Sequence, residues 1–176
     1  MTIGLGRLYD VIPLVIPIDL DTSQSGDQFS LRNAGGVDIC FLTGDGAAGR
    51  DLTFTVKRHT DMSDATGTTI DLSTIAHPYY YYKQDGTTAV GVGTWTKSAA
   101  MSDTDGATVV LDAAEGENST LIVFHLDSAD LGDGYSAVSV TDVVAGGSGA
   151  KIGAAWAILT DLTVQRTPAN LNNALA

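Results

Sequence analysis

The stretch VDICFLTGDGAAGRDLTFTVKRH, Val37–His59, decides the fold class. Val37, Ile39 and Phe41 alternate with Asp38 and Cys40; beyond the bend, Leu52, Phe54 and Val56 alternate with Thr53, Thr55 and Lys57. A period of two places successive side chains on opposite sides of an extended chain, so each run reads as a strand with one apolar face. The glycines and aspartate between them read as a bend, and the whole as a half-buried β-hairpin. Its apolar faces need a second sheet to cover them, which predicts further strands of the same kind.

Composition agrees. The chain has 176 residues, 44% of them hydrophobic, with 20 glycines and four prolines. Long runs of Ala, Leu, Glu and Lys at helical spacing are missing, and the balance belongs to many short strands joined by tight turns. The length fits one domain with a real core. We expect an all-β, antiparallel β-sandwich of jelly-roll-like character over residues 11–161, preceded by an extended N-terminal arm, 1–10, and followed by a C-terminal tail, 162–176.

Nine basic against 21 acidic residues give a formal charge of −12. Such a surface repels phosphate backbones and anionic lipid, so neither nucleic acid nor membrane is an expected partner. The single cysteine, Cys40, excludes an internal disulfide and reads as a small filler within a strand. No apolar run reaches the roughly 18 residues of a membrane-spanning helix. The N-terminal apolar stretch Val11–Ile18 carries Pro13 and Pro17 and does not read as a signal peptide.

Taken in order, Val11–Leu20 is predicted to be extended. Its two prolines forbid a regular helix and lack the ladder N–H, which puts this strand at a sheet edge. HPYYYYK, His77–Lys83, places four tyrosines in a row; on a strand with one wet face at least two rings are exposed. Ser119–Leu126 and Tyr135–Val143 are strands, the acidic loop DSADLGDG lies between them, and Lys151–Leu159 is apolar on both faces like a central strand. About nine strands and no helix are expected.

Motifs that carry chemistry are weak. Gly44, Gly46 and Gly49 have the spacing of a dinucleotide-binding loop, but the residues after them alternate as a strand, so the required helix is missing. Asp127, Asp130 and Asp133 are the best candidates for calcium, against the simpler reading of a solvated turn. His59, His77 and His125 lie far apart with no ligand spacing, and no serine sits in a nucleophile elbow. No cofactor, metal or catalytic residue is predicted. A triad assembled in space is beyond what sequence reveals.

The opening GRLYDVIPLVIPIDLDT, the segment GDQFSLRNAGGVDICFL, the piece DLTFTVKRHTD, and the closing LIVFHLDSADLGDGYSAVSVTDV with GAKIGAAWAILTD carry strand patterning and loose motifs. From Gly6 to about Asp161 the chain resembles the small head decoration, or cement, proteins of tailed bacteriophages. HPYYYYK and residues 162–176 lie outside the match. The resemblance implies a non-enzymatic virion structural protein, made in the host cytoplasm. Many copies, often as homotrimers, bind the major capsid protein on the outer capsid surface and strengthen the head. On that reading the candidate contacts are Arg7, Leu8, Tyr9 and Asp10 of the arm, Tyr80 and Tyr82, and Arg166 and Pro168 of the tail. The alternative is a receptor- or carbohydrate-binding module of a tail or surface appendage, with Tyr79 to Tyr82 and Trp95 as stacking platforms.

Overall fold

The computed structural model describes residues 5, 8–46, 50–72, 80–84, 95–97, 109–110, 119–146 and 149–164. Among them run eleven strands: β1 Asp10–Asp19, β2 Phe29–Ser30, β3 Gly36–Thr43, β4 Leu52–His59, β5 Thr68–Thr69, β6 Tyr80–Gln84, β7 Trp95–Lys97, β8 Val109–Val110, β9 Ser119–Asp127, β10 Ala137–Ala145 and β11 Ile152–Thr160. They form a six-stranded sheet in the order β1-β11-β3-β9-β6-β7 and a five-stranded sheet in the order β2-β10-β4-β5, with β8 added to β4. All strand pairs are antiparallel. The protein is an all-β sandwich.

The expected hairpin is not there. β3 pairs with β9 and β11, β4 pairs with β10, and the two belong to different sheets. The alternation was right and the partner wrong. The apolar faces of these two strands meet across the core instead of lying side by side in one sheet. Phe41 on β3 stacks on Phe54 of β4 at 4.5 Å between centroids, and Phe124 of β9 lies 5.5 Å from Phe54. Aromatic stacking of this kind adds to the burial of three large rings, each at most 1% exposed. Ile12, Val37, Ile39, Val56, Leu126, Val138, Val140 and Leu159 complete the core between the sheets.

The edge assignment of the proline strand holds: β1 ends the six-stranded order, with register irregularities between Pro13 and Val15 and between Val15 and Ile18. β11 lies between β1 and β3 as an interior strand. The acidic loop closes in a 3₁₀ turn, Ser128–Leu131, which buries Leu131; the Asp130 carboxylate accepts the Asp127 N–H at 3.0 Å. Arg58 holds this loop to β4, donating to the Leu131 carbonyl at 2.7 Å with its guanidinium 4.2 Å above the Tyr135 ring. After β11, Leu162 packs against the core and the Thr163 N–H donates to the Asn33 carbonyl at 2.9 Å, so the segment predicted as tail begins attached.

At the other end of the sandwich Arg50, fully buried, leads into β4. Its guanidinium meets Asp21 at 2.5 Å and Asp19 at 3.8 Å, while Asp19 also accepts the Lys151 N–H at 3.1 Å. A buried cation is tolerated only when paired, so this network ties the end of β1 to the entries of β4 and β11. Burial, with Arg50 nearby, pushes the Lys151 ammonium below its usual range.

Candidate functional site

Period two gives each sheet an inner and an outer face, and the two outer faces differ in chemistry. On the six-stranded sheet, Asp38, Cys40 and Leu42 of β3 stand in register with Ile158, Trp156 and Ala154 of β11, and with His125, Val123 and Leu121 of β9. Val11 and Pro13 of β1 continue the same rows beside Ile158 and Trp156. Most of these positions are apolar. Val11, Ile16, Leu42 and Ile152 are 41%, 71%, 49% and 51% exposed, and Ala154, Trp156, Ile158, Leu121 and Val123 are half-buried. On the five-stranded sheet the outward positions of β4 and β10 are mostly polar: Thr53, Thr55, Lys57, His59, Ser139 and Thr141, of which Thr55, His59 and Ser139 are buried, with Ala137 and Val144 in the same rows.

One charged cluster interrupts the apolar face. His125 Nδ1 lies 2.7 Å from Asp38 Oδ1, and its Nε2 lies 3.2 Å from Asp127 Oδ1. Burial disfavours the charged ring, but hydrogen bonds to Asp38 and Asp127, and their charges, outweigh it and raise the His125 pKa above 6.5. Beneath the same face Cys40 is buried, and burial together with Asp38 pushes its thiol up to about 12. It is an inert filler, as its place in the strand predicts.

The residues expected from sequence to make contacts fare differently. Leu8 is 71% exposed and Tyr9 42%, immediately before β1 and continuous in sequence with Val11. Asp10 opens β1 opposite Leu159 and is buried, so its carboxylate is not part of the surface. Tyr80 and Tyr82 occupy β6, in register with Val123 and Leu121 of β9. Arg7, Arg166, Pro168, His77 and Tyr79 lie outside the described residues, as does Gly49 of the glycine-rich bend. The exposed residues of β3 and β11, Leu42 and Ile152, were not singled out from sequence. The apolar character of β11 on both faces was their only signal.

The aspartates behave as turn formers. Asp61 accepts the Ser63 N–H at 2.7 Å; Asp64 accepts from the N–H groups of Thr60, Thr66 and Gly67 at 3.2, 3.2 and 3.1 Å. These bonds hold both carboxyls below the usual carboxylate range. No group of three or more His, Cys, Asp or Glu side chains placed to hold a metal ion is found among the described residues. No helix of the described residues is long and apolar enough to cross a membrane.

Fold and face together define a β-sandwich with one largely apolar and one largely polar outer sheet face. No protein-family model matches the chain, and no curated protein matches it. Among solved structures, the SPBc2 prophage-derived protein YomS aligns with a TM-score of 0.39 and 9% identity, over 90% of this chain and 97% of that one.

Proposed function

We propose that the protein is a structural component of a tailed-phage virion, seated on the outer surface of the capsid as a decoration protein that strengthens the head. The observation that carries this reading is the apolar outer face of the six-stranded sheet, with Leu8 and Tyr9 extending it at the β1 edge. A rigid sandwich with one sheet largely apolar on both sides is suited to being covered on its outer side, and the major capsid protein is the covering partner. Proline at positions 13 and 17 blunts the β1 edge against strand addition, so contact is made face-on through side chains. The net charge of −12 keeps the remainder soluble and away from the packaged nucleic acid. Copies grouped as homotrimers around a symmetry axis bring their apolar faces down together. No cofactor takes part.

The deciding experiment is quantitative mass spectrometry of purified particles from the source, scaled to the major capsid protein. A simple stoichiometric ratio to capsid protein is expected. A handful of copies per particle moves the protein to a tail or surface appendage, and absence from particles removes the virion assignment.

A further inference from the structure

The polar outer face of the five-stranded sheet carries a cavity of about 350 Å³, lined by Gln28, Lys57, His59, Thr66, Ser139 and Thr141 among others. Within its wall, residues 80 apart in sequence form a hydrogen-bonded chain. Ser139 Oγ lies 2.8 Å from His59 Nε2, and His59 Nδ1 lies 2.7 Å from the backbone carbonyl of Asp64. A carbonyl oxygen only accepts, so at that distance the ring proton sits on Nδ1 and the Nε2 lone pair faces the Ser139 hydroxyl. Gln28 Nε2 donates to the same carbonyl at 2.5 Å and stands 3.1 Å from Nδ1, the longer of the two contacts that Nδ1 makes.

The orienting carbonyl is itself fixed. The Asp64 carboxylate gathers three backbone N–H groups of its own loop, and Gly67, at φ 64°, lies so close to the His59 ring that a Cβ there would strike it. Lys57 stands directly opposite Ser139 in the β4–β10 ladder and lines the same cavity.

We propose that Ser139 is a nucleophile, with His59 as its general base and the Asp64 carbonyl as the group that orients the base, and that the cavity takes a small acyl ester. The arrangement supplies nucleophile, base and orienter in the order that acyl transfer requires. Ser139 Oγ bonds to the ester carbonyl carbon while its proton passes to His59 Nε2, and the Lys57 ammonium faces the oxyanion. Collapse breaks the bond to the leaving alcohol, which takes the proton from Nε2. Water then attacks the acyl-serine, giving its proton to Nε2; the acid leaves and the proton returns to Ser139. This activity uses the face opposite the docking surface and is independent of it.

The test is to treat the full-length protein with a small alkyl fluorophosphonate near pH 8 and to locate the adduct by peptide mass spectrometry. One adduct on Ser139 is expected, absent from the urea-unfolded protein and from Ser139→Ala, and formed about 100-fold more slowly in His59→Gln. Lys57→Met, which leaves the loop clamp untouched, slows hydrolysis of p-nitrophenyl acetate by at least about tenfold. An unlabelled Ser139 in the folded wild-type protein overturns the proposal, as does labelling at the same rate in a folded His59→Gln variant.

Discussion

His125 shows what a single residue does on the apolar outer face. Its ring sits between Asp38 and Asp127, and its pKa is raised in the folded state. A raised histidine pKa means that the folded state holds the proton more tightly, so its stabilisation is complete below about pH 6.5 and fades as pH climbs through the higher folded value. The His125 side chain is 41% exposed and those of Asp38 and Asp127 are 34% and 55% exposed, so solvent limits the worth of the cluster to about 0.5–1 kcal/mol. Urea unfolding of His125→Gln should show a deficit of that size at pH 5.5, shrinking as the pH rises above the ordinary value of 6.5 and through the raised folded value. A deficit that stays constant with pH would mean that the ring acts by packing alone. The sequence shows His125 near the end of a strand; it does not show Asp38, because the cross-strand pairing that joins them spans 87 residues.

At the scale of elements, the connection between β3 and β4 crosses from one sheet to the other, so its length sets no ladder register. Three glycines inserted between Ala47 and Ala48 should therefore lower stability by less than about 1 kcal/mol, the cost of a slightly longer loop, with the unfolding m-value unchanged. A loss of several kcal/mol would show that this linker is a tight joint. The strands themselves were legible, since alternation at Val37–Phe41, Leu52–Val56 and Ser119–Leu126 is a local property, and the prolines of β1 place it at an edge for a local reason. Pairing was not legible. An apolar strand face is satisfied equally by an in-sheet neighbour with a common cover or by a strand lying opposite it, and the glycine-rich bend is compatible with both. The apolar outer face was half-legible: β11 reads as apolar on both sides, but only the register with β3, β9 and β1 shows that one of those sides opens to solvent. The Ser139–His59 pair was invisible for the same reason, since β4 and β10 meet only in three dimensions.

The whole molecule is two-sided, and the docking proposal stands or falls at that scale. Replacing Ile16, Leu42 and Ile152 together with Asp removes exposed apolar area without touching the core. The variant should keep its thermal midpoint within a few degrees, because exposed sites contribute little to stability. Its occupancy on expanded capsids in a co-sedimentation assay should fall at least about tenfold. Full occupancy by a folded variant would remove the face from the contact.

The alternation of sheets along the chain also has a temporal side. β1, β3, β9 and β11 build one sheet while β2, β4 and β10 build the other; the β1–β11 ladder joins the two ends of the described fold, and β4–β10 joins its first half to its last third. During synthesis the first half of the chain leaves the ribosome with its long strands unmatched, their partners still to be translated. Closure waits on residues near Trp156, the slow route that long-range pairing imposes. Until then those bare apolar edges are exposed to every other nascent copy nearby, and a truncated product that ends before β11 keeps them exposed for good.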